Sequence, residues 1–263
     1  MSVPPPPLND WNARQYLKFE QERTRAPRDL LAQVPLRQAR TAIDVGCGPG
    51  NSTELLVDRF PDATVFGLDS SKDMLRQARE RLPRCQFIEA DLATWMPQEP
   101  LDLLFANAVL QWVPDHQAVM KRLVEALPPG GVLAAQMPDN TREPSHVLMQ
   151  EVANRGPWAR QLALADAPRL DLPSPESYYD LLKPLCQRVE IWHTIYNHVM
   201  AGPKAIVEWF KGSALRPYLA ALDVPEADRF LDAYTAEIAR HYTARVDGQV
   251  LLRFPRIFVI ATR

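Results

Sequence analysis

Three glycines fall within five residues, at Gly46, Gly48 and Gly50, inside the run TAIDVGCGPGNST. The 263-residue chain holds only 10 glycines, so such a cluster marks a backbone requirement. The run leaves an apolar strand and enters a helix predicted to start near Asn51. Glycines at this junction let the chain turn tightly and approach a ligand, and the helix N-terminus offers unpaired N–H groups. Two cofactor classes use such a site. The dinucleotide fingerprint G-x-G-x-x-G needs its third glycine for close helix–strand packing. Counted from Gly46 and Gly48, that place is Asn51, and Pro49 removes an N–H that a pyrophosphate could use. The dinucleotide pattern therefore fails where it is most diagnostic. What remains is acidic-x-Gly-x-Gly-x-Gly, headed by Asp44.

Three further polar residues stand at predicted strand ends: Asp69 in FGLDSS, Asp91 in EADL and Asn107 in FANAVLQW. Each alone reads as a helix cap. Together they mark successive carboxyl ends of strands, where open α/β sheets bind ligands. The elements that position them are short apolar runs at 41–45, 64–68, 86–90, 101–106 and 132–137. Between them lie helical stripes: Met74, Leu75, Ala78 and Leu82, with Ser70 or Ser71 as N-cap, and Val119, Met120, Leu123, Val124 and Leu127. Strand alternating with helix implies right-handed crossovers and a doubly wound, mostly parallel α/β sheet. Residues 10–34 read as helical with a break at Pro27. Beyond 140 come helices at 145–155, 176–183, 204–211 and 226–242 and a strand at 189–199. A terminal pair of strand segments follows at 249–263, broken at Pro255.

The glycine loop with Asp44, Asp69, Asp91 and Asn107 in this order resembles the class I S-adenosylmethionine (SAM) methyltransferases. That likeness implies SAM as cofactor and a Rossmann-like, seven-stranded sheet with a helical cap. Cofactor contacts are expected at Asp44, Gly46, Cys47, Gly48, Asp69, Ser70, Asp91, Leu92 and Asn107. Asp69 would take the ribose hydroxyls, Asp91 the adenine, and Asn107 would sit beside the methionine end. A closer resemblance runs from near Asp10 to the end: DWN-x₃-Y-x₂-F, E-R-x-R at 22–25, DVGCGPGNST, FANAVLQWVPDH, AAQMPDN, HVLMQEVA, LRP at 215–217 and the terminal FPR-I-F. These look like the trans-aconitate methyltransferase family. The resemblance implies transfer of a methyl group to a carboxylate of a small tricarboxylic acid. Methylation of an amine, hydroxyl or carbon, or SAM binding without catalysis, are the alternatives.

An ionised carboxylate is already a nucleophile, so in-line methyl transfer needs no general base and no catalytic side chain beyond positioning. The tasks are to hold the oxygen ~3–3.5 Å from the methyl carbon and to exclude water. A polycarboxylate in a chain of net charge −2 needs local positive charge, best given by forked arginines. Arg23, Arg25, Arg216 and Arg256 are the candidates. Trp11, with Tyr16 and Phe19, forms either a packed helix face or a lid. Gln111, Trp112 and Gln136 follow or end strands on the ligand edge. His198 is kept as a neutral donor to a carboxylate. His193 lies five residues before it and faces the other way, and His116 and His146 read as helix starts.

No His or Cys spacing suits a metal, so none is expected. The three cysteines, Cys47, Cys85 and Cys186, are odd in number and lack a C-x-x-C, which fits a reducing compartment and a cytoplasmic location. Without long charge blocks or an 18-residue apolar stretch, neither nucleic acid nor membrane is called for. Residues 1–9, with Pro4 to Pro7, read as a disordered leader. Residues 10–263 read as a single monomeric domain with cap segments at about 141–186 and 201–248.

Overall fold

The computed structural model describes residues 18–163 and 171–263. Seven strands form one sheet: β1 (Thr41–Val45), β2 (Thr64–Asp69), β3 (Gln86–Glu89), β4 (Leu103–Asn107), β5 (Val132–Pro138), β6 (Arg188–Met200) and β7 (Val250–Thr262). Their order is β3-β2-β1-β4-β5-β7-β6. β1 to β5 are parallel, and β7 runs antiparallel to β5. The winding reverses between β1 and β4, which makes the carboxyl ends of those two strands the ligand-binding crevice of such a sheet. The mostly parallel, doubly wound α/β architecture expected from the sequence is the one observed.

Contacts divide the chain into two compact units. The sheet unit comprises Phe19–Pro138, Leu172–Thr194 and Arg256–Arg263. The helical unit comprises Asp139–Asp171 and Ile195–Pro255, together with Lys18. β6 and β7 supply residues to both.

In the sheet unit, helices α1 (Glu20–Ala32), α2 (Asn51–Arg59), α3 (Lys72–Arg81), α4 (His116–Ala126) and α7 (Pro175–Leu182) flank the strands. Buried Ile43, Leu104, Leu133 and Val259 pack with Met120, Leu123 and Val124 of α4 and Tyr178 of α7. β4 and β5 are buried along their whole length, as expected for central strands covered on both faces. The Ser71 side chain caps α3 by accepting from Met74 N at 3.3 Å, which decides between the two predicted caps.

Two expected breaks are absent. α1 continues through Pro27, where a proline costs ~3 kcal/mol locally. The helix buries Ala26, Leu30 and Leu31 and packs on α2 and β5, so tertiary packing overrides the local preference. β7 likewise runs through Pro255. The Pro255 carbonyl accepts from Asp139 N at 2.9 Å, just past the end of β5, so the missing N–H falls where that ladder is ending.

The helical unit contains α5 (Pro144–Arg155), α6 (Ala159–Leu162), α8 (Pro203–Lys211), α9 (Arg216–Ala220) and α10 (Val224–His241). α10 presents Phe230, Tyr234 and Ile238 to α5 and α8. Trp158 meets Phe230 edge-on at 5.4 Å, and the Tyr234 hydroxyl donates to Ser145 O at 2.8 Å.

Candidate active site

The loop from β1 to α2 is fixed by its backbone. Gly46 N and Cys47 N donate to Leu68 O at 2.7 and 2.9 Å, tying the loop to the end of β2. Gly46, Gly48 and Gly50 all have positive φ (69°, 55° and 89°), which disfavours a side chain. They differ in their surroundings. A Cβ at Gly46 would lie 2.3 Å from Val109 Cγ2, so this glycine permits close packing of the segment after β4. A Cβ at Gly48 would meet nothing within 4 Å; here the backbone faces open space. Gly50 is the left-handed N-cap of α2.

Asn51, at the position of the dinucleotide motif's third glycine, is buried, and its Nδ2 donates to Thr24 Oγ1 of α1 at 3.3 Å. Asp44 is fully buried beneath α2. Its Oδ2 accepts from Ser52 Oγ at 2.7 Å and Thr53 Oγ1 at 2.8 Å, while no described residue donates to Oδ1. Burial pushes its pKa up to about 7, against the lowering effect of the two hydroxyls. Asp44 thus fastens the first turn of α2 to β1.

Asp69 is half-buried at the end of β2. Its Oδ2 accepts from Gly48 N and its Oδ1 from Ser71 N, each at 2.9 Å. Burial raises its pKa, and the backbone hydrogen bonds oppose that rise. A carboxylate has about four acceptor positions, so Asp69 keeps capacity for further donors. Ser70 beside it is exposed. Asp91 follows β3 in an exposed turn, its Oδ1 accepting from Ala93 N at 2.9 Å, and Leu92 is buried.

Asn107, Gln136 and Arg256 are brought together at the ends of β4, β5 and the paired stretch of β7. All three are buried. Arg256 Nη1 donates to Gln136 Oε1 at 2.9 Å, and Gln136 Nε2 donates to Asn107 Oδ1. Ala108 follows in a left-handed conformation, φ 53°, uncommon outside glycine and frequent at functional sites. Gln111 Nε2 donates to Ala108 O at 2.6 Å and holds that turn. Trp112 ends the short 3₁₀ turn Leu110–Trp112 and is 37% exposed. Arg23 is buried in α1.

The remaining acid-site candidates lie in the helical unit. His198 is buried between aromatic rings: it stacks on Tyr196 at 5.9 Å and packs against Trp209 at 4.8 Å and Phe254 at 5.6 Å. Arg216 opens α9. Trp11 and Tyr16 lie outside the described residues. Ser52, Thr53, Val109 and Ala108 were not expected from the sequence. Paired hydroxyls directly after a glycine loop could have signalled the first two. Val109 and Ala108 carry no sequence signal, because their roles depend on a long-range approach and on a backbone angle. Among the described residues no cluster of His, Cys, Asp or Glu could hold a metal ion. The three cysteines are free. No described helix is long and apolar enough to cross a membrane.

Residues 42–131 match the family model described as a methyltransferase domain. The fold is similar to phosphoethanolamine N-methyltransferase 2 of Haemonchus contortus, solved with S-adenosyl-L-methionine (TM-score 0.53, 19% identity, 90% of this chain and 52% of that one). It is also similar to the YcgJ protein of Bacillus subtilis (TM-score 0.58, 11% identity, 90% and 98%). Sheet order, glycine loop and strand-end polar residues together define a class I SAM-dependent methyltransferase. Among curated proteins, the trans-aconitate 2-methyltransferase of Rhodopseudomonas palustris (strain BisB18) is 61% identical over 256 residues, 97% of this chain and 100% of that protein. Its namesake in Agrobacterium fabrum is 54% identical over 253 residues, 96% and 99%. The chain belongs to the trans-aconitate 2-methyltransferase family.

Proposed function

We propose that this chain transfers the methyl group of SAM to a carboxylate oxygen of trans-aconitate, forming a methyl ester. The observation that carries this reading is the 61% identity over 256 residues, which spans the helical unit as well as the sheet unit.

The residues present fit the cofactor. Gly48 offers backbone beside open space, and Asp69 stands next to it with acceptor positions to spare for ribose hydroxyls. Asp44, Gly46 and Cys47 shape the loop; Ser70, Asp91, Leu92 and Asn107 complete the cofactor side. What SAM supplies when bound is a methyl group on a sulfonium, electrophilic without further activation. The protein's own contribution is to bind, orient and exclude water, since the acceptor carboxylate needs no base. On the sheet unit, Arg23, Gln111, Trp112, Gln136 and Arg256 are the residues assigned to the acid; His198 and Arg216 of the helical unit and Trp11 are further candidates, each to be tested by itself. Buried arginine suits this task because its forked donors match a carboxylate. The enzyme works in the cytoplasm as a monomer.

The test is incubation with SAM and a panel of di- and tricarboxylates, followed by mass spectrometry before and after mild base. A base-labile monomethyl ester of trans-aconitate is expected. SAM binding without turnover of any carboxylate, or a base-stable methylated amine, overturns the reading.

A further inference from the structure

Hydrogen bonds in the buried group at the ends of β4, β5 and β7 have a fixed direction. Arginine has donors only, so the Arg256–Gln136 contact assigns the Gln136 oxygen as acceptor. The Gln136 nitrogen is then the atom facing Asn107, and it can only donate, which assigns Oδ1 as the Asn107 atom that receives it. Asn107 must therefore present its Nδ2 elsewhere. No described residue accepts from that nitrogen, and Asn107, at 7%, keeps more exposure than Arg256 or Gln136. The chain can neither reverse nor flip one amide without setting two donors or two acceptors face to face.

Two further features hold Asn107 in place. Its backbone enters the left-handed turn at Ala108, whose N donates to Gln136 O at 3.0 Å and whose carbonyl is held by Gln111. Gln136 is 1% and Arg256 4% exposed, so the guanidinium charge polarises the amides in a poorly screened environment.

We infer that Asn107 is a hydrogen-bond donor to a ligand carboxylate, kept in that orientation by the directional chain Arg256→Gln136→Asn107. Asn107 touches the ligand; Gln136 and Arg256 are positioning residues that act through it. The inference rests on the methyltransferase reading and refines it. An amide donor with no acceptor among the described residues, backed by a buried cation, selects an anion and disfavours an ammonium. The carboxylate has two possible sources, the acid substrate and the α-carboxylate of the cofactor.

The full chain is titrated calorimetrically with S-adenosylhomocysteine, and then, saturated with it, with trans-aconitate. Asn107→Asp keeps the acceptor for Gln136 and replaces the donor by an anion. Gln136→Glu still accepts from Arg256 but cannot donate, so the Asn107 amide turns and presents oxygen. Both variants are expected to weaken the same one of the two dissociation constants by about 10-fold or more, leaving the other within about twofold. Loss confined to trans-aconitate assigns the substrate carboxylate; loss confined to S-adenosylhomocysteine assigns that of the cofactor. The inference is overturned if neither constant moves, if both move together as a structural lesion would make them, or if the variants disagree. Should Asn107→Asp not fold, Asn107→Ser, whose hydroxyl can donate, must bind that ligand more tightly than Asn107→Ala. Failure of the proposed function shows separately, as absence of ester from the wild type, because both titrations are read without turnover.

Discussion

In the β1–α2 loop the backbone sets the geometry: three positive-φ glycines, two amides on Leu68 O, and a third on the Asp69 carboxylate. In the helical unit side chains set it: Trp209, Phe254 and Tyr196 around His198, Trp158 on Phe230, and Tyr234 reaching Ser145. The first arrangement suits a cofactor that lies against main chain. The second is an aromatic core of the kind that fixes a few polar groups by packing around them. A substitution in the loop should therefore act on conformation and cofactor affinity, and one in the helical unit on packing.

The largest effect should come from Trp209→Ala. Trp209 is fully buried, and its removal should destabilise the protein by about 3–5 kcal/mol, read as a lower urea midpoint. A loss under ~1 kcal/mol would mean that the aromatic cluster does not organise its unit.

Asp44 offers a test of the loop's buried anchor. Its pKa of about 7 lies above the ordinary carboxylate value of 3.8 because of burial. The protonated form thus favours folding, and this contribution is full below pH 3.8 and lost as pH rises through about 7. The displacement corresponds to up to ~4 kcal/mol. Asp44→Asn, whose oxygen can still accept from Ser52 and Thr53, should remove that slope and be the more stable form near pH 8. Urea unfolding of both proteins between about pH 4 and 8 measures the gap; parallel curves would contradict it.

The loop glycines should separate from one another. Gly46→Ala meets both a strained φ and Val109, and should cost about 2–4 kcal/mol, partly relieved by adding Val109→Ala. Gly48→Ala has only the backbone penalty, about 1–2 kcal/mol, yet its methyl enters the open space and should weaken S-adenosylhomocysteine binding. Equal effects of the two on cofactor affinity and melting would erase the distinction. The smallest effect should be Tyr234→Phe, which loses one buried hydrogen bond, about 1 kcal/mol in melting experiments, with cofactor affinity unchanged.

The sequence revealed the loop because glycine spacing reports backbone angles directly, and it revealed β1, β4 and β5 because their apolar runs are buried nearly throughout, while β2 and the edge strand β3 showed as short apolar runs between helical stripes. It misplaced two breaks, at Pro27 and Pro255, since a proline's local preference says nothing about the packing or ladder end that accommodates it. The individual residues Gln136 and Arg256 were visible as candidates. Their link was not, because a contact across 120 positions leaves no local pattern. For the same reason, the close approach of Val109 to Gly46 and the division into two interleaved units emerge only from the fold.

In the proposed reaction the carboxyl ends of β1, β2 and β4 hold SAM beside a carboxylate oriented for methylation. A crystal structure with S-adenosylhomocysteine and trans-aconitate bound tests it most directly. The expected complex has the ribose hydroxyls on Asp69, cofactor backbone contacts along Gly46 to Gly48, and Asn107 Nδ2 donating to a carboxylate oxygen. A cofactor bound away from the glycine loop, or Asn107 turned with its oxygen toward an ammonium, would contradict it.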